Sequence, residues 1–90
     1  MDIMINKRFK KKYNKLVENR PKLKNKVDNC IFDFSKHIRQ SKYYRKPLKG
    51  NFLGYEELQV GGDIRIIVKI NKERTIAVLE DIGTHSQLDL

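Results

Sequence analysis

Apolar residues recur along this chain at two different spacings, and the change from one to the other divides it. Phe9, Tyr13, Leu16 and Val17 follow one another every three or four positions, which puts them on one helical stripe with lysines around the remainder. Asn6 is placed to cap that helix, which is expected over about 7–19. Leu23, Val27, Cys30 with Ile31, Phe34 and Ile38 continue the helical spacing to about Arg39 or Ser41. Pro21 suits a helical first turn and its ring disfavours helical geometry at Arg20, so the break falls there and the two helices form an antiparallel hairpin. Ahead of them, Asp2 to Ile5 reads as a short strand.

Ser41 to Gly50 breaks the periodicity and reads as a basic, aromatic loop containing Tyr43, Tyr44, Arg45, Lys46 and Lys49. From Tyr55 the spacing becomes two. Leu58 and Val60 alternate with Tyr55, Glu57 and Gln59, and beyond Gly61-Gly62 the residues Ile64, Ile66, Val68 and Ile70 alternate with Arg65, Ile67 and Lys69. A three-residue Gly61-Gly62-Asp63 loop sets Val60 opposite Ile64 and Leu58 opposite Ile66, with Gln59 opposite Arg65 on the other face. A two-residue turn would instead drive Arg65 under the helices without a partner, so the longer loop is expected. Asn71-Lys72-Glu73 is a second turn, and Thr75 to Leu79 has the strongest strand propensity in the chain. The sum is an α+β fold: a short N-terminal strand, a two-helix hairpin, then an antiparallel meander of three or four strands with the helices on one face. The other face is expected to display Tyr55, Glu57, Gln59 and Arg65.

Ninety residues suffice for one core, so residues 1–90 are expected to be a single domain, and one that gains from a partner's burial. The single cysteine, Cys30, lies on the apolar stripe as a buried small hydrophobe; it forms no internal disulfide, and a reducing, cytoplasmic setting fits it. No apolar run is long enough to span a membrane, and no export signal is seen, so no membrane association is expected. The charge is informative once it is divided. The total is +9, yet residues 1–50 carry sixteen bases against four acids, while residues 51–90 carry four bases against seven acids. Such a field suits phosphates or an acidic protein. Lys7, Arg8, Lys10, Lys11, Lys12, Lys15, Lys22, Lys24 and Lys26, with Tyr43, Tyr44 and Arg45 of the loop, are the candidate RNA-binding residues: cations meet phosphate, and aromatics stack on bases or close the core beneath the loop.

Phosphate-cradling loops, paired cysteines, nucleophile elbows and metal motifs are absent from the sequence, so neither a metal nor another cofactor is expected. His37 belongs to the surface or end of the second helix. His85 differs, because it follows a strand near the end of the chain, where a tail can fold over the open sheet face and an imidazole can exchange a proton near neutral pH. Arg65 on that face supplies a permanent cation, and Lys46 or Lys49 can reach in from the loop. A base, an acid and such a clamp are what an RNA 2′-hydroxyl needs to attack its own phosphate.

Pro47-Leu48-Lys49-Gly50, Gly54-Tyr55, Asp63 to Ile67 and Ile82-Gly83-Thr84-His85-Ser86-Gln87-Leu88 together resemble the RelE/ParE superfamily of toxins, closest to its YafQ-like branch, over nearly the whole chain. The resemblance implies a ribosome-dependent endoribonuclease that cuts mRNA and is neutralised by a cognate antitoxin. Carried onto this sequence, the YafQ-like pattern's catalytic histidines fall on Lys46, Gln59 and His85, its acidic residue on Asp63, and the arginine of the broader RelE-like pattern on Arg65. Lys46 and Gln59 depart from the pattern, and a glutamine cannot take up a proton. Glu57 is a further candidate base on the same face. Ser86 and Gln87 are expected to satisfy the tail backbone rather than perform chemistry. Three readings remain: the nuclease, a noncatalytic or gyrase-directed ParE-like protein-binding toxin, and a basic RNA-binding module.

Overall fold

A computed structural model describes residues 1–36, 44–48 and 54–88, with the side chains of Tyr44 and Arg45 excepted. Strand β1 (Asp2–Ile5) leads into helices α1 (Lys7–Val17) and α2 (Pro21–Ser35), followed by strands β2 (Tyr44–Pro47), β3 (Tyr55–Gly61), β4 (Ile64–Ile70) and β5 (Ile76–Thr84). The strands form one sheet in the order β1-β5-β4-β3-β2. β2 to β5 are an antiparallel meander, and β1 closes the far edge by pairing parallel to β5. The expected α+β plan is present, with the meander at four strands.

Local chemistry explains the helix boundaries. Asn6 Oδ1 accepts from the Phe9 amide at 2.8 Å, the expected cap, and its Nδ2 donates to Glu80 at 2.9 Å, tying the start of α1 to β5. α1 stops at Val17, two residues short of expectation, because the chain reverses through Asn19 at a φ of 57°. Asparagine tolerates that left-handed geometry. Pro21 opens α2, as expected for a residue whose missing N–H costs nothing there. α2 ends at Ser35; the expected extension to Arg39 or Ser41, and His37 with it, lies outside the described residues.

Between the helices and the sheet sits one core: Phe9, Val27, Cys30 and Phe34 from the helical stripes, against Leu58, Val60, Ile66, Val68, Ala77, Leu79 and Ile82. Cys30 is inert there. Burial and the nearby Asp33 carboxylate push its thiol up to about 12. Tyr13 joins the helices by donating its hydroxyl to Asp28, whose other oxygen accepts from Lys24 at 2.7 Å. Burial and the hydrogen bond to Asp28 raise the Tyr13 pKa.

Three expectations need correction. Residues 44–47 of the expected Ser41–Gly50 loop are the edge strand β2, because their backbone pairs with β3 (Lys46↔Glu57, Tyr44↔Gln59). Val60 does not oppose Ile64. Leu58↔Ile66 and Gln59↔Arg65 hold, but Gly61 opposes Ile64, so Val60 is the extra residue of a bulge and the turn is Gly62-Asp63. The bulge keeps Val60 in the core while leaving Arg65 on the far face, which a flush two-residue turn would not. Finally, the last strand runs on to Thr84 rather than ending at Leu79, with a register shift where Val68 pairs with Leu79 and Ile67 with Asp81.

Replacing Asn6 with alanine removes the cap and the contact to Glu80. It should cost about 1 kcal/mol and lower the melting temperature by roughly 4–8 °C for a domain this size, measurable by circular dichroism.

Candidate functional site on the uncovered sheet face

Register places the candidate residues before any side chain is considered. In antiparallel pairs, directly opposed residues share a face, so Lys46 lies beside Glu57, and Gln59, Arg65 and Gly83 form a row across β3, β4 and β5. This row is on the face away from the helices. His85 follows two residues beyond Gly83, roughly 7 Å further along the strand direction. Its amide donates to the Asp63 carbonyl at 3.2 Å, so the last residue of the β3–β4 turn and the first after β5 are joined. Arg65, Asp63 and His85 therefore gather at one end of the sheet, with Lys46 exposed on the neighbouring edge strand.

The face is less open than the alternation implied. Glu57 is only 3% exposed, and its Oε1 lies 2.7 Å from Arg65 Nε. The N–H direction misses the carboxylate oxygen, so this is a close ion pair rather than a linear hydrogen bond. Arg65 Nη1 donates to the carbonyls of Gly62 and Ile64, both at 3.2 Å, which locks the guanidinium against the turn; its side chain is 15% exposed. The displayed Glu57 of the sequence reading is thus corrected. It lies on the expected face, but buried as the counter-ion of Arg65, out of reach of an RNA hydroxyl. Ile67, expected outward, is buried on this side too, and so is Leu88. Neither belongs to the core beneath the helices.

Leu88 arrives through a turn that the sequence also encodes. Thr84 Oγ1 accepts from the Gln87 amide at 3.1 Å, Gln87 Oε1 accepts from the Thr84 amide at 2.9 Å, and the Leu88 amide donates to the Thr84 carbonyl at 3.0 Å. This is the reciprocal capping box that a Thr-x-x-Gln spacing permits. Gln87 satisfies the tail backbone as expected, and His85 and Ser86, inside the box, are exposed. Gly83 makes the closure possible: a Cβ there would meet Gln87 Oε1 at 2.9 Å. Asp63 is exposed in its turn and enters no ion pair among the described residues.

The basic residues divide. Lys7, Arg8, Lys10, Lys11, Lys12 and Lys15 are exposed along α1, and Lys22, Lys24 and Lys26 along α2, so most of the positive charge lies on the helix side. Two of these lysines carry internal partners: Lys12 bridges to Asp81 at 2.8 Å and Lys24 to Asp28 at 2.7 Å. The charge nevertheless reaches the site. Lys26 Nζ lies 3.3 Å from where a Cβ on Gly61 would stand, beside the turn that carries Asp63. A groove of about 400 Å³ between Lys12, Lys15 and Leu16 of α1 and Gly83 and Gln87 brings α1 against the turn that carries His85. Tyr43 and Lys49 lie outside the described residues, and for Tyr44 and Arg45 only the backbone is described. Among the described residues no cluster of three histidine, cysteine, aspartate or glutamate side chains is placed to hold a metal ion, and no helix is long and apolar enough to cross a membrane.

A half-covered sheet with two helices on one face and a histidine on the terminal turn defines a class: the small toxins of RelE and ParE type. Solved structures agree. The chain is similar to a metal-bound toxin from Helicobacter pylori, with 28% identity over 98% of each chain and a TM-score of 0.77. It is also similar to the DinJ–YafQ complex of E. coli, with 27% identity over 97% of this chain and 96% of that one, and a TM-score of 0.77. YoeB–YefM from Staphylococcus aureus, at 14% identity, 94% and 97% coverage and a TM-score of 0.76, shares the fold. No curated protein sequence matches the chain. The chain belongs to the YafQ family of bacterial toxins of type II toxin–antitoxin systems, whose family model matches residues 1–90. Toxins of this family and of the RelE type are known as ribonucleases.

Two predictions follow from the geometry of this face. Arg65→Ala strands a buried carboxylate and should destabilise the fold by about 3 kcal/mol or more, read from urea denaturation, whereas Arg65→Lys should keep most of the stability. Gln87→Ala should abolish the slow hydrogen exchange of the Thr84 amide while Gln87→Glu preserves it, since glutamate completes the same box.

Proposed function

We propose that this chain is the toxin of a type II module that arrests translation by cutting mRNA on the ribosome. What supports the reading is one juxtaposition. An exposed imidazole, His85, is held by the main chain against Asp63, at the same end of the sheet as the fixed guanidinium of Arg65. In-line attack of the RNA 2′-hydroxyl on the adjacent phosphorus forms the 2′-O–P bond and breaks the P–O5′ bond. Asp63 accepts the 2′-hydroxyl proton and His85 gives a proton to the leaving 5′-oxygen, leaving a cyclic phosphate and a 5′-hydroxyl. Lys46 and Arg65 stabilise the charge that builds on the phosphate oxygens. Nε and Nη1 of Arg65 are committed to Glu57 and the turn carbonyls, so the phosphate is met by Nη2, which donates to none of the described residues. No metal ion is assigned a part. The lysines of α1 and α2 hold ribosomal RNA by neutralising phosphate.

The partner in this reading is a cognate antitoxin, supported by the complexes that the E. coli and Staphylococcus aureus relatives form. The work is done in the cytoplasm, where the ribosome is. The departure at Gln59, which offers no proton acceptor, favours one rival: a toxin of the same fold that binds its target without cutting it.

Mapping transcript 5′ ends after induction separates the two. Wild type should generate new ends within transcripts, and His85→Ala should reduce them by about a hundredfold or more, the usual contribution of a general acid. Growth arrest that survives His85→Ala and yields no new ends with the wild type would select the binding-only toxin.

A further inference from the structure

The uncovered face of the sheet carries a second row of side chains, beyond the one that holds Arg65. Cross-strand register sets Tyr55 of β3 opposite Lys69 of β4, Lys69 opposite Val78 of β5, and Val78 opposite Met4 of β1. None of the four belongs to the core beneath the helices. Met4 is 57% exposed, Lys69 is exposed, and Tyr55 and Val78 are half-buried. Lys69 enters no ion pair among the described residues, and its Nζ stands 5.6 Å from the centre of the Tyr55 ring. Tyr55 also lines a hollow of about 310 Å³ at the end of the sheet, with Lys72 and Arg74 on its rim. An aromatic ring bordered by cations on an open sheet is a platform for a nucleobase, which stacks on the ring while a neighbouring phosphate meets the ammonium.

Continuity with the reactive end decides the occupant. Lys69 follows Arg65 along β4 by roughly 13 Å, well beyond the ~3.4 Å that separates stacked nucleotides, so the two rows meet different nucleotides of one strand. Lys46, opposite Glu57, lies between the rows on the same face, and Arg65, Lys46 and Lys69 make one line of cations. Asp2, opposite Ile76, stands at the far corner, where the platform ends. A second copy of the chain would press Lys69 and a net charge of +9 against their own equals. The apolar side of a peptide would meet that ammonium in the middle of the row, between Tyr55 and Val78. We propose that this row is a second RNA subsite, where a base of the single strand away from the cleaved phosphate stacks on Tyr55 and the phosphate beside that base pairs with Lys69. The identity of the strand rests on the mRNA reading above. The subsite holds the message in register with His85 through a nucleotide that undergoes no chemistry.

The test is anisotropy titration of the full chain with a short fluorescent oligouridylate whose 2′-hydroxyls are methylated, which in-line attack cannot cut, beside the same sugar–phosphate chain without bases. Wild type should bind the base-bearing strand at least about fivefold more tightly than the abasic one, the lower end of what stacking contributes. Tyr55→Ala should remove that preference, and Tyr55→Phe, which keeps the ring, should retain it. Lys69→Ala, at an exposed position, should melt at the wild-type temperature and reduce the slope of log affinity against log salt by about 0.7, the share of one phosphate on a single strand. Should Tyr55→Ala unfold the chain, the wild-type preference and the Lys69→Ala slope still decide. Equal affinity of wild type for the two strands would overturn the proposal, as would a preference that survives Tyr55→Ala or a salt slope unchanged in Lys69→Ala. So would concentration-dependent dimerisation of the chain alone that Met4→Asp abolishes, because the face would then be filled by a second copy. Since the probe cannot be cut, base preference and transcript cleavage are read separately: a chain that prefers the base-bearing strand yet generates no new transcript ends sinks the nuclease reading alone.

Discussion

A sheet that receives helices on one face only has to finish the other face with its own residues, and the ion pair between Arg65 and Glu57 is how this chain does so. The pair covers the centre of that side with opposite charges that offset one another, while Leu88 returns over Gly83 to shield what the pair does not reach. Everything proposed for the reactive end depends on this arrangement. The guanidinium is held in one orientation by its carboxylate and by two carbonyls, at the cost of part of its charge. What remains is a short row of cation, turn carboxylate and imidazole, placed by strand register at Arg65 and by two hydrogen-bonded turns at Asp63 and His85.

The family places the molecule among toxins known as ribonucleases, and the proposed chemistry asks for few parts. His85 needs no burial to be held in place, because its amide is tied to Asp63 and its neighbours close a capping box. With lysine at position 46 and glutamine at 59, the proposed mechanism gives proton acceptance to Asp63. Its carboxylate sits in an exposed turn, and Lys26 reaches the base of that turn.

Much of this was legible in the residues themselves. The helical stripes of Phe9 and of Val27, Cys30 and Phe34 specify the core because a helix period can bury only one face, and the alternation around Leu58 and Ile66 fixes which side Arg65 takes. The misses have physical causes. Lys46 lies in a strand because edge pairing with β3 is a tertiary gain that a basic tetrapeptide does not advertise. The burial of Glu57 was hidden because alternation reports a face, not whether that face stays wet, and a cross-strand arginine two positions along the ladder turned an outward carboxylate into an internal one. The bulge at Val60 was equally silent: Gly61 and Gly62 announce a turn, but either loop length satisfies the apolar pattern on one side of it. The Thr84–Gln87 box, by contrast, was present in the spacing and was read only as backbone satisfaction.

The parallel pairing of β1 with β5 has a consequence for how the molecule comes into being. Among the described strands, β1 pairs only with β5, some seventy residues further on, so the hydrophobic layer between them stays unfinished until β5 is in place. His85 likewise acquires its setting only at that final step. Until that closure the edge of β5 that β1 covers stays open, and the apolar side chains of both strands stay wet.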